Sequence, residues 1–159
     1  MIEVHAKWGP RTYEDRLLQQ YWRERPGFMV AEVPIGGAEG RGRWPPGSRR
    51  RRIDAVRLAV NVLGPQIVSY RSARDCIASL TSNRGVELVE VKPKLNRLVI
   101  GQALAAQDMF ERQYGIRGAK MTIVCGLTDP ALEWVCKRRG IVVWAVTHGP
   151  SRRGPGYSG

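Results

Sequence analysis

Two residues that can do acid–base and metal chemistry, Glu90 and Lys92, are separated by one residue in an apolar segment. In a β-strand every second side chain points to the same face, so this carboxylate and this amine are expected to share one wall. A second carboxylate, Asp54, lies in an earlier apolar segment. Carboxylates beside an amine suit the binding of a divalent cation and the hydrolysis of a phosphodiester. For Glu90 and Lys92 alone, a solubility pair on a half-exposed strand is the alternative.

The chemistry assigns a role to each residue of this group. Asp54 and Glu90 offer hard oxygen ligands for Mg²⁺ or Mn²⁺, and the carbonyl oxygen of Val91 could complete the shell. Lys92 would orient the attacking water or offset the charge that builds on the phosphate in the transition state. These residues predict a metal-dependent phosphodiesterase site.

Charge points to the same kind of substrate. The chain has 159 residues and a formal net charge of +12, mostly from arginine. The planar guanidinium group suits phosphate oxygens, so a polyanion is the expected partner, and nucleic acid is favoured over a membrane. Free use of arginine in the proteome is the alternative explanation. The length fits one domain, which we expect over residues 1–147, with a flexible basic tail over 148–159.

The most basic segment lies directly before Asp54. Its arginines can neutralise phosphates, and an exposed tryptophan in the preceding loop can stack on a base. A basic hairpin tip that only keeps the protein soluble is the alternative. The residues predicted to contact nucleic acid are Arg41, Arg43, Trp44, Arg49, Arg50, Arg51, Arg52 and Lys94.

Several other kinds of site find little support. The three cysteines lie far apart without metal-ligand spacing, and both histidines, His5 and His148, lie near the ends of the sequence. A zinc site, a disulfide framework and a histidine-based hydrolase are therefore disfavoured. The N-terminus has no apolar stretch of signal-peptide type, so a cytoplasmic location is expected.

Hydrophobic periodicity and turn residues predict the elements that must position these side chains. Helices are expected over about 12–25, 72–82, 96–114 and 130–139, and strands over 28–35, 49–60, 66–70, 86–93, 120–125 and 141–146. The last strand, which is apolar throughout, is expected to be buried on both faces. The order predicts an α/β fold with a mixed central sheet flanked by helices.

This order of elements and these residues resemble the PD-(D/E)XK nuclease superfamily, in its RecB-like or Holliday-junction-resolvase-like branch. The resemblance implies a restriction-endonuclease-like αβββαβ core. The segment 52–54 corresponds to the acidic motif of the second strand, and the segment 90–92 to the acidic-x-Lys motif of the third. Glu14 matches a glutamate that many members carry in the first helix, and Gln102 matches a glutamine of the next helix. Catalytic roles for Asp54, Glu90, Lys92, Glu14 and Gln102 follow from the resemblance.

The sequence departs from the family pattern at two points. Ile53 replaces the proline, and the step from Asp54 to Glu90 is long because a helix is inserted there. Asp75 lies nearer to Glu90 and is a rival for the acidic role, although a helical pattern surrounds it. Glu32 is likewise a rival for the place of Glu14.

The expected function is that of a metal-dependent nuclease that hydrolyses DNA phosphodiester bonds. RNA substrates and the choice between internal and terminal cutting are left open, and cutting both strands calls for a homodimer or a partner. One alternative is a catalytically inactive nucleic-acid-binding subunit of a repair or defence complex. Another is a protein for a small anionic ligand bound at the helix start 128–130, although no glycine-rich phosphate loop precedes a helix.

Overall fold

Residues 8–37, 44–58, 64–78 and 85–146 are described by the computed structural model of the chain. In chain order, the helices and strands of these residues are α1 (Tyr13–Glu24), β1 (Phe28–Ile35), β2 (Arg51–Leu58), β3 (Gln66–Ser69), α2 (Tyr70–Ala78), β4 (Val86–Lys94), α3 (Arg97–Tyr114), β5 (Lys120–Leu127), α4 (Pro130–Arg138) and β6 (Ile141–Ala145).

The strands form one mixed sheet in the order β3-β1-β2-β4-β5-β6. β1, β2 and β4 are antiparallel neighbours, whereas β3 runs parallel to β1, and β5 and β6 run parallel to β4. The parallel connections from β4 to β5 and from β5 to β6 carry α3 and α4, which is why the chain alternates between helices and strands in its second half. The predicted α/β class, with a mixed central sheet flanked by helices, is confirmed.

Local signals set the ends of the two helices that cover the sheet near the predicted site. Thr12 caps α1 and forms a capping box with Asp15. Asn96 caps α3 through the amide of Val99, and Gly115 ends the helix in the left-handed conformation. Each cap satisfies backbone groups that a helix end leaves without partners. The predicted boundaries of both helices are therefore correct to within about two residues.

Two cores lie on opposite faces of the sheet. The larger core includes Val99, Ala103 and Phe110 of α3, and the predicted apolar face of that helix is therefore correct. The smaller core forms around Leu17 and Tyr21 of α1. Both faces of the central strands are covered, so a charged side chain on β4 can be buried on either side of the sheet.

Side-chain alternation reverses within β1 and β2. Val30 and Val33, three residues apart, both belong to the larger core, and so do Ile53 and Val56. A regular strand would place residues three apart on opposite faces. The irregular step falls at Glu32, whose φ is 58°, and at Asp54 on the neighbouring strand. Asp54 therefore lies at the point in β2 where the alternation of side chains between the two faces of the sheet reverses.

The last strand corrects the expectation from the sequence. β6 forms the edge of the sheet, beside β5, and its residues 142–145 are only half-buried. The expectation of burial on both faces was wrong, because an apolar run does not reveal the position of a strand in the sheet. The predicted tail over 148–159 lies outside the described residues. None of the described helices is long and apolar enough to cross a membrane.

A buried glutamate, Glu87, ties β4 to α1 and β5. Its carboxylate accepts hydrogen bonds from the Tyr21 hydroxyl at 2.7 Å and from the Thr122 hydroxyl at 3.1 Å. Arg25 and Arg57 lie 3.6 and 4.0 Å from its oxygens. Burial, and after it the Glu87 carboxylate, raise the pKa of Tyr21 to about 12. These contacts fix the register of β4 beneath α1.

We expect Tyr21→Phe to lower the free energy of unfolding by about 1.5–3 kcal/mol, because a buried carboxylate then loses a hydrogen-bond donor. Urea unfolding at neutral pH measures the difference. Tyr70→Phe is the matched control, since the Tyr70 hydroxyl makes no hydrogen bond with the described residues. Equal stabilities of the two variants would contradict a structural role for the Tyr21 hydroxyl.

Candidate metal-binding site

A cavity of about 620 Å³ opens between α3 and the strands β1, β2 and β4. Asp54, Glu90 and Lys92 all line it, and Gln102 lines it from α3. Four residues that the sequence singled out, from two strands and a helix, thus meet at one cavity. Gln102 is exposed there and makes no hydrogen bond with the described residues, so its amide is accessible to a ligand.

Asp54 occupies the point where β2 and β4 separate. The paired register between these strands runs from Leu58 opposite Val86 to Ala55 opposite Val89. One residue further on, Oδ2 of Asp54 accepts a hydrogen bond from the backbone N–H of Val91 at 2.7 Å. The side chain thus takes the place of a ladder hydrogen bond, and this contact holds the carboxylate beside Glu90.

Glu90 is buried, with 6% of its surface exposed. A solubility pair on a half-exposed strand does not describe such a residue. Burial, and after it the neighbouring Asp54 carboxyl, raise the pKa of Glu90 to about 9, and Lys92 partly opposes both effects. Burial also raises the pKa of Asp54, and the hydrogen bond from Val91 opposes that change. Without a bound cation, the two carboxyl groups therefore do not both ionise at neutral pH.

Glu14 approaches the site from the first turn of α1. Its Oε1 lies 3.5 Å from Nζ of Lys92, and both side chains are partly exposed. Glu14 also lines a smaller cavity on the α1 side together with Asp54 and Val91. The structure therefore places Glu14 as a partner of Lys92. Its rival Glu32 lines the same small cavity, but its side chain is exposed and lies 3.5 Å from Arg52.

The donor set fits one magnesium ion. Among the described residues, no three His, Cys, Asp or Glu side chains form a group that could hold a metal by themselves. Mg²⁺ binds through one or two carboxylates and keeps water and substrate phosphate as its other ligands, so Asp54 and Glu90 suffice. A cation between them would also favour ionisation of both carboxyl groups. Val91 is fixed beside them by its hydrogen bond to Asp54, and its carbonyl remains a predicted ligand.

The predicted phosphate-binding residues divide into three groups. Arg51 and Arg52 line the cavity. Arg49 and Arg50 lie exposed just before β2, and Lys94 is exposed on β4 away from the cavity. The remaining two, Arg41 and Arg43, lie outside the described residues.

Trp44 does not have the freely exposed position that was predicted for it. The ring is half-buried, and its Nε1 donates a hydrogen bond to Oε1 of Gln113 at 3.3 Å. The guanidinium carbon of Arg112 lies 4.8 Å from the ring centroid. Trp44 thus packs against α3, and the expectation of an exposed ring was wrong, whereas its contact with nucleic acid remains a prediction.

Two residues of the cavity and one buried residue of β4 on the opposite face of the sheet were not singled out from the sequence. Arg97 and Leu98 line the cavity from the first turn of α3. The capping residue Asn96 marks that turn and could have indicated them. Glu87 was overlooked because a charge between apolar strand residues reads as a solvent-facing position. Asp75, the rival for the acidic role, is exposed on α2 and does not line the cavity.

The chain was compared with protein-family models, with curated proteins and with solved structures. None of the three comparisons finds a match. The geometry of Asp54, Glu90 and Lys92 is therefore the basis for a functional assignment, and the resemblance to the PD-(D/E)XK nucleases remains a prediction.

Proposed function

We propose that this chain is a metal-dependent nuclease of the PD-(D/E)XK type that hydrolyses DNA phosphodiester bonds. The observation that carries the proposal is the pair of carboxyl groups of Asp54 and Glu90, one of them buried, beside Lys92 in an arginine-lined cavity. Two adjacent carboxylates, one of them buried, raise the free energy of the folded protein unless a cation or a proton neutralises one of the charges. Such a pair in an open cavity is therefore a candidate functional site.

Each side chain at the site has its own role in the proposed reaction. Asp54 and Glu90 hold the cation, which when bound polarises a phosphate oxygen and lowers the pKa of the attacking water. The ammonium group of Lys92 directs that water and stabilises negative charge on the phosphate as the bond to the leaving oxygen breaks. Glu14 holds Lys92 in place, and the arginines at the cavity bind the flanking phosphates.

The helix start at α4 is a poor site for a small anion. Oδ1 of Asp129 already accepts hydrogen bonds from the amides of Ala131 and Leu132, at 2.9 and 3.2 Å. Glu133 adds a second carboxylate in the same turn and accepts a hydrogen bond from Thr128. An incoming anion would meet negative charge where it needs free N–H groups.

DNA cleavage assays test the proposal directly. Purified protein is incubated with end-labelled single-stranded, duplex and four-way-junction DNA in Mg²⁺, in Mn²⁺ and in EDTA. We expect cleavage of at least one substrate in a divalent cation and none in EDTA. Salt-dependent DNA binding without cleavage in either metal would instead favour a catalytically inactive nucleic-acid-binding subunit.

We expect Glu14→Gln to lower the cleavage rate about tenfold while the Mg²⁺ concentration at half-maximal rate stays the same, since Glu14 contacts Lys92 and not the cation. Single-turnover cleavage across a Mg²⁺ titration measures both quantities. Glu111→Gln is the matched control, because Glu111 of α3 forms a comparable ion pair with Arg117, 3.4 Å away, in the segment after the helix. A shift in the Mg²⁺ dependence of Glu14→Gln would show that Glu14 binds the cation instead.

A further inference from the structure

The large cavity has two kinds of wall. Arginines line it from both sides, Arg51 and Arg52 from β2 and Arg97 from α3. An apolar surface, here called the apolar wall, runs between them. It consists of Ile35, Leu98, Ala105, Ala106 and Met109. Phosphates bind to guanidinium groups and not to aliphatic side chains, so the apolar wall faces a different part of the substrate.

Leu98 gives the clearest sign of an apolar ligand. It is 67% exposed and, with Leu127 and Trp134, is one of the large apolar side chains that stand out from the described surface. A single exposed leucine needs no explanation by itself. Leu98, however, lies in the apolar wall, one turn before Gln102 on the same side of α3. A ligand with an apolar face would cover it.

The size of the cavity limits what can enter. Its volume of about 620 Å³ is typical of pockets that enclose one nucleotide-sized ligand. The stretch of α3 from Arg97 to Met109 runs along it for about 18 Å. A duplex keeps its base faces stacked inside and presents only phosphates and groove edges. A single strand exposes its base faces, which pack against apolar side chains.

We infer that the cavity takes a single DNA strand, with the base next to the scissile phosphate packed against the apolar wall at Leu98. Arg97 binds the adjoining phosphate, because its guanidinium group has no ion-pair partner among the described residues. The inference rests on the proposed function for the position of the scissile phosphate. Leu98 and Arg97 are then both binding residues, and Leu98 selects an unpaired base.

Fluorescence anisotropy in EDTA measures binding without cleavage. The probes are a labelled single-stranded oligonucleotide, the same strand in a duplex, and the same strand carrying abasic sites, all at one salt concentration. We expect the single strand to bind about tenfold more tightly than the duplex, and the abasic strand to lose most of that advantage. Leu98→Ser should weaken single-strand binding about five- to tenfold, leave duplex binding unchanged and have no further effect on the abasic strand.

Two variants separate contact with the base from general effects. Leu127→Ser removes a leucine of similar exposure, 61%, that lies outside the cavity, and it should change no affinity. Arg97→Gln should weaken single-strand and abasic binding equally and lower the salt slope by about one ion. Duplex binding as tight as single-strand binding, or equal effects of Leu98→Ser and Leu127→Ser, would overturn the inference.

The same reagents distinguish this inference from the proposed function. Leu98-dependent single-strand binding with no cleavage in Mg²⁺ or Mn²⁺ would remove the nuclease assignment and keep the binding site. Metal-dependent cleavage of intact duplex that is unaffected by Leu98→Ser would keep the nuclease and remove the preference for a single strand.

Discussion

Glu90→Gln is expected to lower metal-dependent DNA cleavage by at least about 1,000-fold, because the amide keeps the shape of the side chain but provides no anionic ligand. Asp54 then remains as the one carboxylate of the proposed pair. Single-turnover cleavage in saturating Mg²⁺ measures the loss. DNA affinity in EDTA should change little, since the arginines at the cavity are unaltered.

The matched control for this variant is Asp75→Asn, which removes an exposed carboxylate that the sequence left as a rival for the acidic role. It should cleave at the wild-type rate. Equal activities of Glu90→Gln and wild-type protein would remove Glu90 from the site. If Glu90→Gln and Asp54→Asn both cleaved at the wild-type rate, the activity would come from a contaminating nuclease.

Much of the fold could be predicted because its signals are local. Thr12 and Asn96 cap their helices, Gly115 ends α3, and each feature lies within a few residues of the boundary that it sets. The order of strands in the sheet, in contrast, is not set by local signals. Residues 141–146 are apolar enough for a central strand, but β6 lies at the edge because of contacts that link distant segments. Local pattern does not encode such contacts.

The candidate site also combines features that the local sequence predicts with features that depend on contacts between distant segments. Alternation along β4 placed Glu90 and Lys92 on one wall, and both line the cavity. The contact from Asp54 to the Val91 amide depends on the separation of two strands and on the irregular step in β2. No feature of the sequence predicts that reversal of side-chain alternation in β2. The packing of Trp44 against α3 also brings together residues far apart in the chain. The local composition alone had suggested an exposed ring.

Stability should depend on pH in a way that reports directly on the acidic pair. In the unfolded chain Glu90 ionises near its ordinary pKa of 4.5, whereas burial and the adjacent Asp54 raise the pKa to about 9 in the folded protein. Between these values the folded state binds more protons than the unfolded state. The stabilisation is complete below the ordinary pKa and is lost as pH rises towards the folded value.

We therefore expect the metal-free protein to lose stability as pH rises from 5.5 to 8.5, on the order of 1 kcal/mol per pH unit through this residue. Glu90→Gln cannot ionise and should remove most of the slope, so the variant becomes the more stable protein at pH 8.5. Urea unfolding in EDTA at pH 5.5, 7 and 8.5 measures both, and Asp75→Asn should keep the wild-type slope. Parallel curves for wild type and Glu90→Gln would contradict burial of an ionisable pair.

Magnesium should reverse this loss, because a cation that binds the ionised pair stabilises the folded state in proportion to the logarithm of its concentration. At pH 8.5 we expect added Mg²⁺ to raise the stability of the wild-type protein and to have little effect on Glu90→Gln. A response of equal size in both proteins would mean that the ion binds elsewhere. A response confined to the wild type would identify the cation ligand without any measurement of cleavage, because the stability change depends on the same carboxylates as the proposed reaction.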